Sequence, residues 1–231
     1  MITGTSQRLN LIDKSELGIS MGGHYIVESE EKYETLLGVR FMPNLKWGEH
    51  VAGLKMKLKT RLSGLLSVRY VVSTEWLKKL ADGIFLSVLS YCIPLWGVCD
   101  LKDLRSLQIL QNTAARHVLK VSNRCHREDM YVQLNWLTVS QLSVFHSLLS
   151  VYKIRKNQEP EYLHSRLSID NVRGKIIVPS VRLSIGLNSF CWRGAILWNS
   201  LPEELRKSEN TVQFKKDLKK WIIENTPRFP D

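Results

Sequence analysis

A mainly α-helical fold, a helical bundle with a small antiparallel β element at its N-terminal end, is predicted by three observations. Apolar residues recur at helical spacing from Trp47 almost to the last residue. Strand-like alternation is confined to residues 1–46. The composition, 44% hydrophobic and 24% charged over 231 residues, is that of a globular chain long enough to bury a core.

Taken in order, "LGISMGGHYIVES" holds two alternating runs, Leu17 to Met21 and His24 to Glu28, on either side of Gly22 and Gly23. Two glycines supply the positive φ that a tight hairpin turn needs. "LLGVRFM", Leu36 to Met42, reads as one further strand, stopped by Pro43 and Asn44. So few strands cannot cover both faces of a sheet, so the N-terminal piece reads as the trailing part of a larger one.

From Trp47 the period becomes helical. At about 100° per residue, Trp47, Val51, Leu54, Leu58, Leu62 and Leu65 fall on one narrow stripe. Lys46, His50, Lys57 and Arg61 share one flank of that stripe, and Lys55 and Lys59 lie along the other. Such rows are either stems lying over a core edge or a track for a phosphate backbone. "STEWLKKLADGIFLSVLSYCIPLWG" opens at a cap signal near Ser73 and is expected to be the central buried helix, ended or kinked by Pro94 and Gly97. A third helix starts at Asp100 with Leu101, Leu104, Leu107, Leu110, Ala114 and Val118 directed inward. Three helices with short connections make a bundle.

The polar stretch "NRCHRED", Asn123 to Asp129, is the expected internal boundary. Two helices follow it, the second stopping near "NQEP". A Ser-, Gly- and Arg-rich segment, extended or β near residues 172–188, comes next. "SFCWRGAILWNSLPEELR" and a last amphipathic helix complete the chain, the latter with Phe214, Leu218, Trp221 and Ile222 inside. The divisions are therefore 1–46, 47–125 and 126–231.

Lys plus Arg number 33 against 22 Asp plus Glu, a net charge of +11. That excess favours a polyanionic partner through attraction and counterion release, a merely soluble basic protein being the alternative. The most apolar run, Ile84 to Trp96, is well short of the roughly 20 residues that cross a bilayer, so no membrane association is expected. With no secretory signal pattern in "MITGTSQRLN", an intracellular setting, cytoplasm or nucleus, is expected, with Cys92, Cys99, Cys125 and Cys191 as free thiols.

Motifs for catalysis are sparse. Glu128 with Asp129 and Glu203 with Glu204 are sequence neighbours, which point about 100° apart on a helix and suit capping better than acid–base work. Cys125 beside His126 lacks any recognised metal-ligand spacing, and no glycine-rich phosphate loop or nucleophile elbow is present. Most of the seven tryptophans fall at inward helical positions and are expected in the core.

Several segments, in order, resemble one family. "LLGVRFMPNLKWGEHV" is similar to the LGV-x-(I/F)-D-x-x-L-x-W-x-x-H segment of reverse transcriptases from jockey-like non-LTR (LINE) retrotransposons, through Leu37, Gly38, Val39, Leu45, Trp47 and His50. Met42 stands in place of the family's Asp. "LSYCIPLWG" resembles L-x-Y-G-x-x-x-W-G, with Cys92 for the common Gly. "LQILQNTAARHVL" is similar to L-Q-x-x-Q-N-x-A-x-R through Gln108, Gln111, Asn112 and Arg116. "LNWLTVSQL" resembles W-L-x-(I/V)-x-x-R, with Gln141 for Arg, and "SFCWRGAILWNSLPEELR" with "FKKDLKKWI" is similar to the family's C-terminal pattern.

The resemblance covers essentially the whole chain. It implies that residues 1–46 are trailing strands of a polymerase palm, 47–125 a thumb-like bundle and 126–231 a C-terminal helical region. It also implies RNA-directed DNA polymerisation by the parent polymerase, whose palm aspartates hold Mg²⁺. Those aspartates, in a Y/F-A-D-D hairpin and an earlier strand, have no match here. The expectation is thus a fragment inactive alone, with no cofactor of its own, that binds RNA, DNA or an RNA–DNA hybrid and packs against the missing palm. Lys46, His50, Lys55, Lys57, Lys59 and Arg61 are the expected contacts. The competing expectation is a decayed or co-opted helical module that binds a protein.

Overall fold

The computed structural model describes residues 3, 9–11, 18, 20–25, 31–170 and 174–226. The chain is mainly helical, with a small antiparallel β element near its N-terminal end. Strands β1 (Ser20–Met21) and β2 (His24–Tyr25) pair antiparallel across Gly22 and Gly23, whose φ values of 61° and 82° are those of the expected turn. The outer parts of both runs, and most of residues 1–19, lie outside the described residues.

The single strand expected over Leu36–Met42 is instead a second hairpin. Strands β3 (Glu34–Leu36) and β4 (Val39–Phe41) pair with Leu36 opposite Val39, around Leu37 at φ 48° and Gly38 at φ 79°. Two successive positive φ values make a two-residue turn, and only Gly38 marks it in sequence. The Tyr91 hydroxyl donates to the Leu37 carbonyl at 2.7 Å, tying this turn to the helices.

Helix α1 (Gly48–Val68) buries Val51, Leu54, Leu58, Leu62 and Leu65, the predicted stripe, with Trp47 half-buried at its N-cap. After it come α2 (Thr74–Ala81), a π-helical turn (Asp82–Leu86), α3 (Ser87–Ser90) and α4 (Ile93–Trp96). The buried residues Leu77, Ala81, Phe85, Leu89 and Ile93 repeat every fourth position. A regular helix of about 3.6 residues per turn would swing such a stripe off the core, and the wider π turn takes up the excess. Asp82 in that turn accepts from the Trp136 indole at 2.7 Å and from Lys78 at 2.9 Å.

Cys92 breaks the run at φ 51°. It occupies a left-handed conformation that costs an L-residue about 1–2 kcal/mol and a β-branched one more. Cys92→Val is therefore expected to lower stability by about 1–2 kcal/mol more than Cys92→Gly, checked by urea unfolding.

Helix α5 (Leu101–Leu119) packs on α1 and α2. Leu101 is exposed rather than inward, and the buried face includes Gln111 and Asn112. Those amides organise the next turn of chain, α6 (Arg127–Leu134) and the start of α7 (Val139–Asn157). Gln111 donates to the Leu137 carbonyl at 2.8 Å, Gln108 accepts from the Val139 N–H at 2.9 Å, and the buried Tyr131 hydroxyl donates to Asn112 at 2.9 Å. Thr138 and Gln141 form a capping box on α7.

The most buried helix is α7, not the Ser73–Gly97 segment expected to be central. Ser143, Ser147, Leu148, Val151 and Ile154 are among its buried residues, and it contacts α3, α4 and α5 as well as later elements. Small serines allow close approach without registering as apolar; a Cβ on Gly97 would stand 2.4 Å from the Ser143 hydroxyl. Trp76 and Leu80 of α2 face solvent, Trp76 at 62% exposure, while the other six tryptophans are buried or half-buried as expected of most of them.

The remainder is α8 (Glu161–Arg166), β5 (Ile169–Asp170), β6 (Lys175–Ile176), α9 (Ser184–Leu187), α10 (Phe190–Ser200), α11 (Glu203–Arg206) and α12 (Thr211–Asn225). The expected extended segment over 172–188 thus pairs slightly earlier, as β5 against β6, and closes in a helical turn; residues 171–173 lie outside the described residues. Asn199 holds β6 to α10, exchanging hydrogen bonds of 2.8 Å with both the N–H and the carbonyl of Ile176. Met130, Val139 and Leu148 join the same buried cluster as Leu58 and Phe85, so the apolar core is continuous across the 125/126 join.

Candidate functional site

The β3–β4 hairpin lies on the first turns of α1, and this contact builds a cleft. Val39 points inward, so Arg40, next on the strand, turns the other way toward α1. Its guanidinium reaches the Glu49 carbonyl at 3.4 Å and stacks over the Tyr33 ring at 4.7 Å. Gly53 makes room for it, because a Cβ there would come within 2.7 Å of Arg40 Nη1.

Arg40, Lys57 and Arg61 line one cleft of about 550 Å³ with Ser87 and Tyr91 across from them, and no carboxylate lines it. Lys57 and Arg61 stand four residues apart and so lie one above the other on α1. Glu49 is engaged by Lys32 and Asp103 by Lys55. The cleft is therefore cationic.

His50 forms part of the cleft floor, 7% exposed, and its Nδ1 accepts from the Arg40 N–H at 3.3 Å. The neutral ring then carries its proton on Nε2, which has no partner. Burial, with Lys57 and Arg40 nearby, lowers its pKa to about 4. His50 is thus a neutral seat for the hairpin rather than a cation. A histidine whose folded pKa lies below its unfolded value contributes stability above about pH 6.5, lost as pH falls toward about 4. Wild type is expected to lose about 2 kcal/mol more than His50→Gln between pH 7 and pH 5, read from paired urea melts.

The structure thus brings together His50, Lys57 and Arg61 of the expected contacts. Lys55 turns to α5, 3.7 Å from Asp103. Lys59 is exposed on the far side of α1. Lys46 precedes the helix and lines a separate hollow of about 470 Å³ beside Pro94 and Phe190. Arg40, Ser87 and Tyr91 were not among the expected contacts. Nothing in the sequence marks Arg40: Gly53 makes room for it, but Gly64 of the same helix has open space beside it, so a glycine in a helix does not by itself point to a close approach.

Among the described residues the paired carboxylates do not converge on a catalytic constellation. Glu128 and Asp129 sit in the first turn of α6, and Glu203 and Glu204 in that of α11, where they complement the helix dipole. Burial and the nearby Asp103 and Asp100 push Cys99 up to about 12, so it remains a thiol. All four cysteines are free. Among the described residues no group of three or more His, Cys, Asp or Glu side chains could hold a metal ion, and no helix is long and apolar enough to cross a membrane. Comparison of the chain with protein families, with curated proteins and with solved structures gives no match.

Proposed function

We propose that this chain is the nucleic-acid-holding part of a reverse transcriptase of the jockey-like non-LTR kind, gripping RNA, DNA or an RNA–DNA hybrid in the cleft between β4, α1 and α3. The observation that carries the reading is the convergence of Arg40, Lys57 and Arg61 on one cleft free of carboxylates. Cations so placed bind phosphates without reading bases. The resemblance supports the same reading, since the segment 36–51 that carries its first motif is the segment that builds the cleft. Chemistry with Mg²⁺ is assigned to the parent polymerase, because its aspartates have no counterpart in this sequence. The missing palm is the expected protein partner, and the setting is intracellular.

The test is fluorescence anisotropy of a labelled template–primer duplex with the full chain between 50 and 200 mM salt. Affinity is expected to fall steeply with salt, log K against log[salt] having a slope of about −0.9 per phosphate contact. Absence of binding at low salt, or binding indifferent to salt, overturns the reading. Gly53→Ala separates cleft from fold. A Cβ displaces only the mobile end of Arg40, while alanine favours a helix interior by about 1 kcal/mol. Stability is expected to hold or rise and duplex affinity to fall several-fold.

A second reading, a module that binds a protein, is favoured by Leu66, Tyr70, Val71, Trp76 and Leu80, exposed around the α1–α2 junction. Sedimentation showing a defined oligomer with no nucleic-acid affinity would select it.

A further inference from the structure

The basic surface is not confined to the cleft. Where the C-terminal ends of α7 and α10 meet α11, two hollows of about 480 and 430 Å³ share Arg155, Trp198, Arg206 and Lys207 as walls, and Tyr152 and Lys156 line the first. In this pocket Glu209 lines the first hollow and Glu203 the second, while Arg155, Lys156, Arg206, Lys207 and Trp198 are side chains that only donate hydrogen bonds.

Its donors outnumber its acceptors. Trp198 and Tyr152 are 2% and 4% exposed, held against Phe214 with ring centroids at 6.2 and 4.0 Å. Neither the indole Nε1 nor the phenol hydroxyl has a hydrogen-bond partner, and Arg206 Nε has none. Buried donors are almost always satisfied in proteins, by protein groups or by water, so three together in one wall call for an acceptor from outside, water or an anion. Indole N–H and guanidinium accept nothing, which excludes a cation or a donor-only ligand.

Charge points the same way. Arg155 is half-buried, its guanidinium 5.4 Å from the Trp198 ring centroid, and burial lowers its pKa from the usual arginine range. No carboxylate pairs with it among the described residues, and Glu203 is bound to Lys207 at 2.6 Å. Arg206 is fixed by a 2.8 Å hydrogen bond from Nη1 to the Gly174 carbonyl, which leaves its Nε edge free.

We propose that this pocket is a phosphate-binding site, in which Arg155 and Arg206 hold a phosphoryl group and the Trp198 indole, with the Tyr152 hydroxyl, donates from the wall. The phosphoryl group belongs either to a nucleic-acid backbone or to a free phosphate, and the site does not depend on the cleft described above.

The experiment follows the indole N–H signals of the full ¹⁵N-labelled chain by NMR, Trp198 being identified by its absence in Trp198→Phe. Inorganic phosphate is titrated against chloride at equal ionic strength. The Trp198 signal is expected to shift saturably with phosphate alone. Arg155→Gln and Arg206→Gln, checked for native circular dichroism, are each expected to raise the apparent Kd at least tenfold, while Lys57→Glu with Arg61→Glu leaves it unchanged. A Trp198 signal that stays still, or moves equally with chloride, overturns the proposal by measurement on the unaltered chain. An oligonucleotide lacking terminal phosphates that moves the same signal identifies the backbone as the source; response to inorganic phosphate only identifies a free phosphate.

Discussion

Lys57→Glu combined with Arg61→Glu is expected to weaken template–primer duplex binding by roughly 50-fold or more at 0.1 M salt, with the fold intact. Each phosphate contact contributes about 0.9 to the slope of log K against log[salt], so at 0.1 M each is worth about 0.9 of a decade. Two lost contacts give roughly 60-fold, and the repulsion of two introduced carboxylates adds to it. The slope itself should fall by about two, which a nonspecific loss of stability would not produce. Both side chains are exposed on α1, so truncating or reversing them removes no core contact. Lys59→Glu with Lys55→Glu is the charge-matched control: Lys59 lies across the helix and Lys55 faces Asp103, so a smaller change is expected. Equal loss from both pairs would mean that net charge, not the cleft, governs binding.

The largest stability effect is expected from Trp96→Ala, a loss of about 3–5 kcal/mol, typical of removing a fully buried large aromatic side chain. Trp96 is fully buried, and its indole donates to the Tyr91 carbonyl at 2.7 Å. It also ends a line of ring contacts, Phe41 to Trp47 at 5.5 Å, Trp47 to His50 at 6.3 Å and His50 to Trp96 at 5.8 Å, that seats the hairpin on the helices. Total stability of a domain is about 5–15 kcal/mol, so the variant should be largely unfolded or marginal at 37 °C. Trp76→Ala, at a site 62% exposed, is expected to change stability by no more than about 0.5 kcal/mol. Urea denaturation of the pair checks the contrast.

The helices were legible wherever packing is apolar and regular. The stripe from Val51 to Leu65 is buried as its spacing required, because one face of a helix meets the core every third or fourth residue. Polar or irregular packing leaves no such pattern in the sequence. Gln111 and Asn112 are buried because the Gln111 amide binds the Leu137 carbonyl before α7 and the Asn112 amide accepts from the Tyr131 hydroxyl of α6, which no apolar pattern records. The serines of α7 hid the most buried helix, since they serve close approach rather than transfer from water. The strand expected over Leu36–Met42 is a hairpin because Leu37 takes a left-handed conformation beside Gly38, and its carbonyl is bonded there by Tyr91 from 54 residues away.

The candidate site divides in the same manner. That Lys57 and Arg61 share a face follows from helical geometry and was available from their spacing alone. That His50 on the same flank is neutral, that Lys55 is paired and that Arg40 completes the cleft were decided by where the hairpin and α5 come to rest against α1. The physical reason is range. Local periodicity specifies which face of an element is buried, because it acts within one or two turns. Which charges converge depends on contacts between elements distant in sequence, and those exist only once the chain has folded.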